Sequence, residues 1–341
     1  VPIISILLAF VIGCIIMAVL GANPFVALES LWIGAFGSLR NVGTTLARST
    51  PLIFTSLCAC FAYRCGVFNL GGEGQFLMGS IVCCYIATQS GIEGLPAILL
   101  CLVGGAVAGG LWSLISGLLK VYRGQNEMII TIMLNYVLTY ASTYVLRYWM
   151  RDNTVTYLGS NRIAAGAKLP VLLRGTDLHA GIFIVILAAI FTWWFLNRTT
   201  KGFEIKVTGQ NRSFAKYIGI NVASAMLLAQ IIGGALGGIG GAVEILGKYD
   251  RFLWTAQTGY GFSGLMITVL ARNNPIAIPF VTLLFAYLQI GANIVGTTTD
   301  VPSEFVMVIQ AIIILLVAAT LFLDSFRKRA VVRLAQQNKE V

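Results

Sequence analysis

Apolar residues in this chain come in long runs separated by short polar segments. IISILLAFVIGCIIMAVLG from Ile3 and EFVMVIQAIIILLVAATLFL from Glu304 each approach the ~20 residues that a helix needs to cross about 30 Å of hydrocarbon. Spans are predicted near 3–21, 43–63, 75–90, 96–119, 128–148, 179–197, 223–245, 261–272, 275–296 and 304–323. The first of these reads as a retained span, since a signal peptide has a shorter apolar core and a small-residue cleavage site. The run from Gly261 to Arg272 is too short for a straight crossing, and Pro275 blocks helix continuation after Arg272-Asn273-Asn274. The pattern therefore predicts an all-α, polytopic membrane protein of about ten transmembrane helices, some of them broken or re-entrant.

Composition agrees with the pattern. Hydrophobic residues make up 57% of the chain and charged residues 11%, against roughly 25% charged in a soluble domain; the mean hydropathy is +0.85. A net charge of +10 raises nucleic acid as a partner, but the basic residues sit in short loops and in the tail from Arg327 to Lys339, where positive-inside topology accounts for them. With a cytoplasmic N-terminus, 14 of the 23 Lys and Arg fall on the inner side, and the C-terminus is cytoplasmic too. The organisation expected is a transmembrane domain over 1–324, interrupted by a cytoplasmic loop at 198–222, then a basic tail over 325–341. Seven cysteines lie in or beside apolar runs without CxxC spacing, so they read as packing residues. His179 is the sole histidine and reads as an interface residue; no metal set or catalytic constellation is visible.

A charge inside a bilayer costs at least ~2.5 kcal/mol, which singles out Glu73, Glu127 and Glu244. Glu73 lies in GVFNLGGEGQFLMG, where glycines, Asn69 and Gln75 interrupt the apolar pattern between two spans. Two readings stand for this stretch: a broken element lining a solute pathway, or a buried polar knot that fixes helix packing. Asn126 and Glu127 open the next span, with Asn135 and Tyr136 about two turns further in. An amide and a phenol could meet a base or sugar, but Asn135 could equally join helices. The segment NRTTKGFEIKVTGQNRSFAKYIGINV, from Asn197, can form a short amphipathic helix with Phe214, Tyr217 and Ile218 on one side. Such a helix suits a groove on a partner, or alternatively lipid headgroups. Paired glycines at 233–234, 237–238 and 240–241 permit close helix approach, or a helix smooth enough to slide.

Three stretches carry a family resemblance: GVFNLGGEGQ (66–75), NEMIITIMLNY (126–136), and GYGFSGLMITVLARNNP (259–275) with the GQNRSFAKYIGI loop before it. Spread over most of the chain, they resemble the permeases of the branched-chain amino acid and simple-sugar ABC importer superfamily. NEMIITIMLNY looks specifically like the longer permease of the nucleoside pair. The resemblance implies a bacterial plasma-membrane transport subunit, not itself an enzyme, that works by ATP-driven alternating access. It further implies a second related permease, an ATP-binding subunit carrying ATP and Mg, and an extracytoplasmic substrate-binding lipoprotein. Gln210, Arg212, Phe214, Ala215, Tyr217 and Gly219 would then belong to the coupling helix. Asn69, Glu73, Gln75, Asn126, Glu127, Asn135 and Tyr136 are the candidate pathway or gate residues. The chain has no G-x-x-x-x-G-K-[ST] phosphate loop, which fits an external motor and no cofactor of its own. Rival readings are a simple-sugar, flavin or branched-chain amino acid permease, and a stand-alone secondary transporter.

Overall fold

A computed structural model describes residues 37–298 and, before them, Phe25, Glu29, Trp32, Ile33, Gly34 and Phe36, with side chains through Gly291. The spans expected at 3–21 and 304–323, Cys14 and the tail 325–341 lie outside the described residues. The described helices are α1 (Leu39–Arg64), α2 (Gly72–Gln89), α3 (Leu95–Arg123), α4 (Glu127–Tyr148), α5 (Gly181–Arg198), α6 (Thr200–Gln210), α7 (Arg212–Tyr217), α8 (Val222–Lys248), α9 (Tyr260–Leu270) and α10 (Ala277–Thr298). Among the described residues, extended pairing is limited to two isolated bridges, Arg151 with Ser160 and Val171 with His179. The eight spans expected between residues 43 and 296 each fall on a helix, and 198–222 folds into α6 and α7. Among the described residues, five helices, α1, α3, α4, α5 and α8, are long and apolar enough to cross a membrane. The eleven residues of α9 reach only ~16 Å, about half a bilayer.

The chain divides into two compact units: Gly43–Leu283, and the described parts of 1–42 and 284–341. In the second, Phe36 stacks on Tyr287 with ring centroids 5.5 Å apart, and the Asn41 amide donates to the Ile33 carbonyl at 2.9 Å.

In the larger unit α8 packs against α2 and α3, and glycine is what lets it do so. A Cβ on Gly238 would strike the carbonyl oxygen of Gly105, and one on Gly79 would strike that of Gly238. Backbones in contact over these positions gain dispersion and leave no lipid between them. α1 is enclosed as well: Leu52, Phe54, Leu57 and Phe61 are fully buried. Pro51 interrupts its backbone ladder, while the Ser56 hydroxyl returns to the Leu52 carbonyl at 2.6 Å. By contrast, the exposed residues of α3 include Leu99, Val103, Val107 and Leu111, and those of α5 Phe183, Leu187, Ile190 and Trp194. Those faces are hydrocarbon along their length, as lipid contact requires.

Polar segments gather at the C-terminal end of α8. Arg251 pairs with Asp152 at 2.5 Å, Lys248 with Asp177 at 3.2 Å, and Lys168 with Asp250. His179 is buried, its Nδ1 accepting from the Gly181 N–H at 3.2 Å, and its ring lies so close to Gly247 that a Cβ there would collide with it. Its side chain packs inside the protein, at the end of α8 where the Lys248–Asp177 pair lies. The six described cysteines, Cys58, Cys60, Cys65, Cys83, Cys84 and Cys101, are free and buried.

Candidate functional site

Two chain breaks meet inside the larger unit. Residues 65–71 leave α1 without helical structure before α2 starts, and residues 249–259 do the same between α8 and α9. Each new helix begins with backbone N–H groups that have no partner within it. Gly261 sits against the backbone of Glu73, leaving no space for a side chain, and Gly259 turns the chain with φ +78°. That approach brings the Glu73 carboxylate onto the start of α9. Its Oε1 accepts from the Thr258 backbone N–H, from the Thr258 hydroxyl at 2.7 Å and from the Gly259 N–H at 2.8 Å. Its Oε2 accepts from the Gly261 N–H at 2.7 Å. A carboxylate is the group best suited to the positive end of a helix dipole.

The start of α2 is closed by neighbouring helices. Asn135, ~12 Å along α4, accepts from the Gly74 N–H at 2.9 Å and donates to the Leu70 carbonyl at 2.9 Å. The Thr131 hydroxyl accepts from the Leu70 N–H at 3.2 Å. Asn69 accepts from the Gly71 N–H at 2.6 Å and donates to Gln230 Oε1 on α8 at 2.6 Å. Ser113 of α3 donates to the Gln230 backbone carbonyl at 2.7 Å, and the Cys58 thiol of α1 donates to Gln75 Oε1 at 2.7 Å.

Four of the residues singled out in the sequence, Asn69, Glu73, Gln75 and Asn135, are thus brought together, all buried. The other three are not in that buried cluster. Asn126 is an exposed N-cap whose side chain accepts from the Met128 N–H at 3.0 Å, and Glu127 pairs with Lys120 at 2.5 Å and also faces the Phe68 backbone at the edge of the 65–71 break. Tyr136 is 53% exposed, whereas Asn135 beside it is 1% exposed. Sequence reasoning missed Thr131, Thr258, Ser113 and Gln230. Only Gln230 had a signal of its own, as a lone amide in the glycine-rich apolar run of α8.

Glu244 belongs to a second buried set. The Tyr260 hydroxyl donates to its Oε1 at 3.1 Å, and Arg48 donates to the same hydroxyl at 2.8 Å while lying 4.9 Å over the Tyr260 ring. Tyr260 also packs on Phe76, which meets Trp254 of the 249–259 segment at 5.7 Å. Separately, a cavity of 460 Å³ opens between α2, α3 and α4, walled by Met78, Ile81, Val82, Leu138 and Val145.

At the other end of these helices α7 stands out. Asn211 caps it by accepting from the Phe214 N–H at 3.0 Å. Ala215 is buried, while Phe214, Tyr217 and Ile218 are exposed, Tyr217 at 89%. Gln210 is exposed too, and Gly219 ends the turn with φ +85°. Arg212 donates to the Gly66 carbonyl at 2.9 Å, tying α7 to the elbow between α1 and α2.

This arrangement closes hydrogen bonds around two interrupted helices and presents an apolar tip on α7; it joins no nucleophile to a base. Comparison with known proteins gives it a setting. Residues 41–318 match the family described as the branched-chain amino acid transport system permease component. The chain is 36% identical over 324 residues to the guanosine ABC transporter permease protein NupP of Bacillus subtilis, covering 94% of this chain and 93% of that one. It is 36% identical over 341 residues to the nucleoside ABC transporter permease protein NupB of Lactococcus lactis, covering 97% and 93%. The glucose ABC transporter permease protein TsgB13 of Haloferax volcanii is 29% identical over 336 residues, covering 96% and 88%. Matched over most of its length, the chain belongs to the branched-chain amino acid transport system permease family and is a multi-pass membrane protein.

Proposed function

We propose that this chain is a membrane-spanning subunit through which an ABC importer admits nucleosides. The observation that carries this reading is the full-length likeness to NupP and NupB, both named for nucleoside substrates. The working complex would add an ATP-binding subunit that holds ATP and Mg, a second related permease and an extracytoplasmic substrate-binding lipoprotein. The chain would sit in a bacterial plasma membrane with its C-terminus in the cytoplasm. ATP-dependent uptake by the reconstituted complex, with nucleosides, flavins and sugars in competition, tests the substrate. The glucose-named relative makes a base-free sugar the second reading, and preference for one would replace the first.

The permease would couple through α7. Its exposed Phe214 and Tyr217 form the knob a groove on the ATPase could hold, with Gln210 beside them, while buried Ala215 seats the helix and Gly219, at φ +85°, turns the chain at its end. Arg212, bonded to Gly66, would pass displacement to the elbow that leads into Asn69 and Glu73. Asn69, Glu73, Gln75, Asn126, Glu127, Asn135 and Tyr136 are proposed to line or gate the pathway, either directly or by holding the broken helices that do. A ligand moves such an equilibrium only by binding its two states unequally. Arg212→Glu combined with Tyr217→Ala should therefore lower solute moved per ATP at least tenfold, with membrane insertion and yield unchanged. Unaltered coupling in that variant removes α7 from the role.

A further inference from the structure

The outward faces of α3, α4 and α5 differ in chemistry. Those of α3 and α5 are hydrocarbon, whereas α4, besides exposed Ile129, Met133 and Val137, presents Tyr136, Tyr140, Tyr144 and Tyr148 at four-residue spacing, exposed at 53%, 74%, 58% and 65%. Tyrosine belongs at the membrane–water boundary, and Tyr148 at the last residue of α4 fits there. Tyr136 and Tyr140 do not, for they lie ~14 Å and ~20 Å along a 22-residue span, in its middle portion. A phenol facing lipid at that depth has no hydrogen-bond partner to find.

A second observation points the same way. The Thr143 hydroxyl of α4, which donates to the Thr139 carbonyl at 2.9 Å, also lies 3.5 Å from the Thr255 carbonyl, placing the irregular 249–259 segment beside this stripe. In that segment Leu253, Thr255 and Ala256 are exposed, and the Gln257 amide nitrogen has no hydrogen-bond partner. Non-helical backbone at membrane depth persists only against protein or a water-filled cavity. Exposed irregular backbone and exposed phenols therefore share one side of the unit, and neither suits lipid.

We propose that Tyr136, Tyr140 and Tyr144, with the 253–257 segment, form a wall of the solute passage whose aromatic rungs stack on the flat ring of a heterocyclic base. Rungs one helical turn apart, ~6 Å, hand a planar ring from one to the next. Stacking tolerates different bases because each has a π-face, and hydroxyls and the segment's backbone serve the sugar. The proposal rests on the reading of this chain as a nucleoside permease and adds how the base is recognised.

The test uses the assembled complex in liposomes, with saturating loaded binding protein, and measures nucleoside uptake and ATP hydrolysis together. Leucine at Tyr136, Tyr140 and Tyr144 should cut uptake per ATP about tenfold, while phenylalanine at the same positions keeps it within threefold. Binding-protein-stimulated ATPase should stay within twofold of the parent in both. Leucine variants that carry nucleoside as well as the parent would overturn the proposal and return the face to lipid. Leucine variants that fail to assemble would overturn it in favour of a subunit contact, and equal losses with leucine and phenylalanine would exclude stacking. A parent complex that moves sugars and no nucleoside would instead end the functional reading, and the base-stacking wall with it.

Discussion

Replacing Glu73 with alanine is expected to destabilise the protein by roughly 4 kcal/mol and to strip most of the folded species from a detergent extract. Three backbone N–H groups, of Thr258, Gly259 and Gly261, and the Thr258 hydroxyl all donate to this one carboxylate. Without it, the buried Gly261 N–H and the part-buried donors of Thr258 and Gly259 lose their acceptor, at up to ~1–3 kcal/mol each, and relaxation of the 249–259 segment recovers only part of that. Against a total stability of about 5–15 kcal/mol the loss is large. Glu73→Gln should fall between, at roughly 2 kcal/mol, because the amide keeps one acceptor oxygen but turns an NH₂ toward backbone donors. Thermal melting of the purified variants decides the matter. An alanine variant that melts with the parent yet moves solute poorly would mean that Glu73 meets the solute and does not hold α9.

The second large effect is expected at Gly238. An alanine there places its Cβ against the Gly105 carbonyl oxygen, with the Gly105 carbonyl carbon at 2.9 Å and Gly109 Cα at 3.1 Å. All three are backbone atoms of a neighbouring helix and cannot rotate away, so the cost should reach about 3 kcal/mol, the upper end for overpacking. Gly117→Ala is the control. Its nearest contact is the flexible tip of Leu227 at 3.1 Å, so a change below ~1 kcal/mol is expected. Measured melting shifts should therefore separate the two substitutions widely. If Gly238→Ala leaves melting intact and slows transport alone, the glycine face of α8 is a sliding surface instead of a tight joint.

Both predictions concern groups whose partners lie far away in sequence. Glu73 was conspicuous as a carboxylate among glycines, and the sequence left it open between pathway and knot. The geometry gives it four donors from residues 258–261, none of which carried any mark of the pairing. Asn135 is similar: its amide reaches Leu70 and Gly74 across 65 and 61 residues. For a hydrogen bond between breaks in two helices, local pattern holds no information about which break meets which. Tyr136 shows the complementary problem. Adjacent to Asn135, it was grouped with it, although successive helical residues point about 100° apart. Periodicity alone separates the two; it does not say which of them faces inward.

What the chain's linear pattern determined, among the described residues, was the place of the eight apolar segments between residues 43 and 296 and the positions of the breaks. Water's rejection of ~20-residue apolar runs, and hydrocarbon's rejection of unpaired backbone, act on each segment by itself. The half-length of α9, the interruption after α1 and the amphipathic α7 follow from that local arithmetic. Tertiary structure alone decided that Glu73 closes α9, that Asn135 closes α2 and that four tyrosines of α4 look outward. Those outcomes depend on which helices touch, and here contact is set by glycines that admit one backbone against another, a selection visible only once the helices are packed.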